Sequence, residues 1–157
     1  MKKRNVFLAA AALSLCMAFP AMADETQESF REEAGAIHAQ MQELNAQIEP
    51  LREENVEMSK AFKEFTAESK SAGELPVDKE VWDEIQELRK QISQYRTGRE
   101  AATVKAMRAE AKQAAEEGDY AAALEQMETV LAAKQERLEQ AQEANALWKE
   151  IQAILEA

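Results

Sequence analysis

The sequence predicts an all-α fold, an elongated antiparallel three-helix bundle with coiled-coil packing. Three observations predict it. Apolar residues recur at alternating spacings of four and three along most of the chain, which lines them up on one helix face. The 157 residues include only 4 Gly and 3 Pro, too few turn formers for a many-stranded β fold. Two turn regions, near residues 74 and 118, divide the chain after its first 23 residues into three stretches of similar length. Each stretch is about 40 residues, or ~60 Å as a helix.

Residues 1–23 read as a cleaved Sec signal peptide. Lys2, Lys3 and Arg4 precede an uncharged, mostly apolar run from Val6 to Ala18, and Ala21-Met22-Ala23 is a small-x-small cleavage site. The apolar run is shorter than the ~20 residues that span a bilayer, and Pro20 interrupts it, so no stable membrane span is expected after cleavage. The expected mature chain, 24–157, is a single helical domain in the periplasm or outside the cell. The lone Cys16 leaves with the signal peptide, which excludes an intrachain disulfide and a Cys-rich zinc site.

The first helix is expected over about 26–70. Phe30, Ile37, Leu44, Leu51, Met58 and Phe65 stand seven apart, with Ala34, Met41, Ile48, Asn55 and Phe62 interleaved four residues after them. Pro50 lies inside this pattern without disturbing its phase. Proline removes one helical hydrogen bond and clashes with the preceding turn, so a kink is expected, with Pro50 on the outer face. Gly73 is a suitable C-terminal cap.

The second helix is expected over 78–117. Asp78 is a good N-cap, with Val77 and Trp82 at the positions of a hydrophobic staple. Val81, Ile85, Leu88, Ile92 and Tyr95 carry the stripe, which turns Ala-rich between Ala101 and Ala115. Gly118 can take the left-handed conformation that ends a helix. The third helix is expected over 119–156, N-capped by Asp119. Leu124, Met127, Leu131, Leu138, Ala141, Trp148 and Leu155 mark its face, and Leu147, Ile151 and Ile154 widen it near the end. A wider apolar face packs on more than one neighbour.

Reflecting residue numbers about the two turns predicts which residues share a level. Phe62, Phe65, Trp82, Trp148, Ile151 and Leu155 should gather at one end, and Phe30 should meet Tyr120. Pro50 and Gly98 fall at one level, where a bent waist is expected. Asn55 and Asn145 lie on apolar stripes at similar levels. They either fix the helix register or turn to solvent at a frayed seam.

Signals of chemistry are sparse. The one His, His38, cannot build a multi-His metal site, and no HExxH, GxSxG, P-loop or Rossmann fingerprint is present. Glu pairs such as Glu32-Glu33 and Glu116-Glu117 lack a calcium-type loop around them. No catalytic residue, cofactor or metal is expected, and the chain is read as a non-enzyme.

Charge is more informative. The formal net charge is -11, and removing the signal peptide brings it to -14. Bulk acidity argues against nucleic acid, whose phosphates need Lys and Arg. The middle helix is the exception. Arg89, Lys90, Arg96, Arg99, Lys105, Arg108 and Lys112 stand against only Glu100 and Glu110. Two readings are open. The bases pair with acidic neighbouring helices, or Arg89, Arg96, Arg99, Lys105, Arg108 and Lys112 form a partner-binding face.

Gly118-Asp119-Tyr120, followed by Ala123-Leu124, Met127 and Val130-Leu131, resembles the turn and second helix of a tetratricopeptide hairpin, over about 104–131. A single such unit cannot bury its face alone, so the residues read as a local helix–helix turn. The exported, acidic, all-helical character resembles small periplasmic chaperones of the Spy and CpxP kind, or the coiled-coil arms of Skp. That resemblance implies an ATP-independent holdase for unfolded or envelope proteins. The alternatives are a structural or oligomerising coiled-coil adaptor of the cell envelope, or a periplasmic cation-binding protein using surplus Glu. Protein partners are expected, and homo-oligomerisation is compatible with the pattern.

Overall fold

The computed structural model describes residues 27–73, 77–95 and 98–156; the expected signal peptide lies outside them. The described chain is all-α, with helices α1 (Gln27–Ala72), α2 (Lys79–Gln94), α3 (Gly98–Glu117) and α4 (Tyr120–Leu155).

α1 passes through Pro50 as one helix, and Pro50 is exposed, where water can serve the carbonyl left without a donor. The expectation that needs correction is the single helix over 78–117, which is two helices. At the end of α2 the Tyr95 N–H turns back onto the Ile92 carbonyl, 3.2 Å away, closing a tight last turn. A periodic stripe that continues on both sides of this point does not by itself separate α2 from α3.

The remaining termini follow the local chemistry. α3 ends in a Schellman motif. The Gly118 N–H donates to the Ala115 carbonyl and the Asp119 N–H to the Ala114 carbonyl, with Gly118 at φ 83°. Asp119 caps α4 at once, its carboxylate accepting from the Ala122 N–H at 3.1 Å. Asp78 occupies the N-cap of α2, but without a side-chain capping bond; its carbonyl accepts from the Trp82 N–H.

α4 is the centre of the assembly. It packs against α1, α2 and α3, whereas α1 makes no close backbone approach to α2 or α3 among the described residues. α1 and α4 run parallel. Phe30 stacks on Tyr120, Asn45 bonds Lys134 and Asn55 bonds Asn145, so the partner number stays close to 90 above. The offset is the same on both sides of Pro50, so any change of direction in α1 there is followed by α4.

Two clusters of buried apolar residues sit along α4. One combines Met58 and Phe62 of α1, Ile85, Leu88 and Ile92 of α2, and Ala144, Trp148 and Ile151 of α4. The other combines Ile37 and Met41 of α1 with Leu124 and Val130 of α4, and Val104 and Met107 of α3 lie against it. Each fully buried aliphatic side chain, such as Ile85 or Ile151, contributes about 1.5–3 kcal/mol of burial. Phe65 does not join the first cluster as expected; it is 37% exposed. The α1–α4 register explains this. It sets Phe65 opposite Leu155, the last residue of α4, where the bundle ends.

Candidate interaction surface

The bases singled out in the middle helix go to different places. Arg89 is half-buried, with its guanidinium carbon 4.8 Å from the centroid of the Phe62 ring and a 3.2 Å hydrogen bond to Gln86. A cation over an aromatic face is attracted by the ring quadrupole, so Arg89 serves the α1–α2 junction. It stands beside stacked Phe62 and Trp82 and tilted Phe62 and Trp148. The side chains of Arg96 and Arg99 lie outside the described residues. Lys105, Arg108 and Lys112 are exposed on α3. Their spacings of three and four put them on one face of that helix.

The pairing of these bases differs from an interhelical scheme. Lys90 meets Glu87 at 3.5 Å and Lys112 meets Glu116 at 3.7 Å, both within one helix and both largely exposed. Such pairs are worth about 0–1 kcal/mol. Among the described residues, no ion pair engages Lys105 or Arg108, and none links α3 to α1. The physical reason is the central position of α4. It holds the α1 backbone apart from α3 among the described residues.

Two further features lie off the basic stretch. The first is a polar layer between the apolar clusters. Asn145, only 5% exposed, donates to Glu54 Oε2 at 2.8 Å and to Asn55 Oδ1 at 3.1 Å. Asn55 donates in turn to the Ala141 carbonyl at 3.1 Å. Lys149 lies 3.0 Å from Glu54 Oε1. The hydrogen bonds from Lys149 and Asn145 hold the Glu54 carboxyl below its ordinary value of 4.5, against an opposing effect of burial. The Asn pair is therefore hydrogen-bonded between α1 and α4 and does not turn to solvent at a frayed seam, the arrangement that a register-fixing role requires. At the far end of α2, the neighbouring Glu143 carboxylate, followed by burial, holds the Tyr95 hydroxyl pKa above its ordinary value.

The second feature is Lys134 on α4. It continues the seam spacing of Leu131 and Leu138, and it is half-buried with its ammonium donating to Asn45 Oδ1 of α1. Burial, followed by repulsion from Arg108 and Arg137, lowers its pKa. A charged residue on an apolar seam was the sequence signal for it.

His38 is exposed, and among the described residues no three His, Cys, Asp or Glu side chains come together as a metal-binding group. No described helix is long and apolar enough to cross a membrane. The fold and surface define an all-α helical bundle with a basic face on an acidic chain. No family model, curated protein or solved structure matches the chain.

Proposed function

We propose that the chain is an exported, non-enzymatic protein-interaction module that holds acidic or partly unfolded protein segments on the basic face of α3. The single observation that carries the reading is the placement of Lys105 and Arg108. They are exposed, share one face with Lys112, and have no carboxylate partner among the described residues. A basic face on a chain of net charge -11 attracts acidic segments, which the acidic remainder of the surface repels, so binding is confined to that face. Export and a periplasmic setting rest on the N-terminal charge, apolar run and cleavage pattern. A holdase without ATP fits a chain that carries no nucleotide-binding fingerprint.

The adaptor alternative requires the Ala-rich stripe of α3 to be open to a partner. Ala111 is buried, and Ala114 and Ala115 are half-buried, on a helix whose close neighbour is α4. That favours the holding role. The test is suppression of aggregation of an acidic unfolded protein at near-equal ratios. K105E/R108E should abolish suppression, while K60E/K63E on α1 should leave it intact. Equal suppression by both variants would refute the reading.

A further inference from the structure

We propose that Arg108, Lys134, Arg137 and Asn45 form a binding site for a phosphoryl group where α4 meets α1 and α3. It deepens the basic-face reading, with which it shares only Arg108. Three independent placements converge. Lys134 and Arg137 are three apart on α4, so their side chains emerge from the same face one turn apart. Arg108 comes from α3, which packs on α4, and acts on Lys134 as a neighbouring charge. Asn45 comes from α1 and already engages the Lys134 ammonium through its carbonyl oxygen.

Among the described residues none of the three cations has a carboxylate partner; the ion pairs formed use Lys60, Lys90, Lys112 and Lys149. Lys134 is half-buried, held by a neutral oxygen, and lies in the field of two like charges. An anion relieves all three conditions. A carboxylate supplies one negative charge and leaves the cluster strongly positive. A phosphoryl group supplies up to two charges and three acceptor oxygens, matching two guanidinium forks and one ammonium. The Lys134 proton affinity, depressed in the free site, should recover when the anion binds.

The site is tested by thermal unfolding of the whole chain in rising inorganic phosphate, at fixed ionic strength, against acetate. The expected result is a saturable rise in midpoint with phosphate and none with acetate. K134M keeps a long apolar side chain on the seam and should abolish the rise. R137Q, at an exposed position, should weaken it about tenfold, the factor for losing one charge-assisted hydrogen bond. If K134M does not melt cooperatively, R137Q carries the test. K105Q/K112Q changes the client face alone and should keep the phosphate response, so failure of the holding role and failure of this site are separable. Flotation with phosphatidylglycerol or phosphatidylcholine vesicles then assigns the source. Lys134-dependent flotation with the anionic lipid identifies a lipid headgroup, and a phosphate response without flotation identifies a free phosphate. An equal rise in acetate, a full response in K134M and R137Q, or no response to phosphate or anionic vesicles overturns the proposal.

Discussion

Replacing the paired asparagines tests whether they act as one unit. Asn145 makes hydrogen bonds to Glu54 and Asn55, and Asn55 makes its own to the Ala141 carbonyl. A net hydrogen bond is worth about 1 kcal/mol. N145A removes the bonds to Glu54 and Asn55, so it should cost about 2 kcal/mol. N55A removes the shared bond and the bond to Ala141, again about 2 kcal/mol. The double variant removes the shared bond only once, so it should cost about 3 kcal/mol rather than 4. The coupling energy is therefore about 1 kcal/mol. Urea unfolding of the four proteins, followed by circular dichroism with the slope m compared across them, measures it. Strict additivity of the two single variants would show that no shared bond joins α1 and α4 at this level. A companion variant, N55L/N145L, replaces the layer with apolar side chains and should gain stability. It should lose the unique pairing of α1 with α4, seen as a broadened mass distribution in sedimentation.

Three further variants probe the Glu54–Lys149 pair and two glycines. Glu54 has a depressed folded-state pKa, so its contribution is present above the ordinary value of 4.5 and is lost as pH falls through the folded value. K149M removes the largest cause of that shift and should flatten acid unfolding below about pH 4.5; an unchanged acid limb would deny the Glu54–Lys149 bond any energetic role. The glycines of α1 and the α3–α4 turn should respond in opposite senses. Gly35 is exposed within α1, and an added Cβ meets nothing within 4 Å, so G35A should stabilise by about 1 kcal/mol. Gly118, at φ 83°, is strained by any side chain, and G118A should cost about 1–2 kcal/mol in urea melts.

Much of this architecture is legible in the sequence because heptad spacing reports burial directly. Ile37, Met41, Ile48, Met58 and Phe62 are buried where the four–three pattern places them, and reflection about the turns brings Phe30 to Tyr120. Gly118 and Asp119 are readable because their backbone and capping chemistry is local. The division of α2 from α3 is not readable, since an apolar stripe that continues on both sides does not by itself separate two helices. The central position of α4 is readable only faintly, in the widening around Leu147, Ile151 and Ile154. Periodicity says that a residue is buried, not which helix buries it. Arg89 shows the same limit for charge. Its sign is visible in the sequence, but its aromatic partner lies 27 positions away on another helix.

The placement of α4 also decides what the charge pattern means. Had α3 packed between α1 and α4, the α1 carboxylates would have stood beside Lys105 and Arg108 and cancelled their field. With α4 in the middle, the α1 and α3 backbones do not approach closely among the described residues, and no ion pair among them joins the two helices. The Asn55–Asn145 bond and the Phe30–Tyr120 stack fix α1 to α4 in one register, so α1 cannot slide or roll across to α3 without breaking them. The polar layer and the basic face are thus coupled. The layer costs stability relative to apolar packing, and it holds the acidic helix where it leaves the α3 bases uncompensated. Weakening the register with N55L/N145L should therefore lower capture of acidic clients even though neither residue lies on α3. Retention of full capture in a variant shown to have lost unique α1–α4 pairing would break that link.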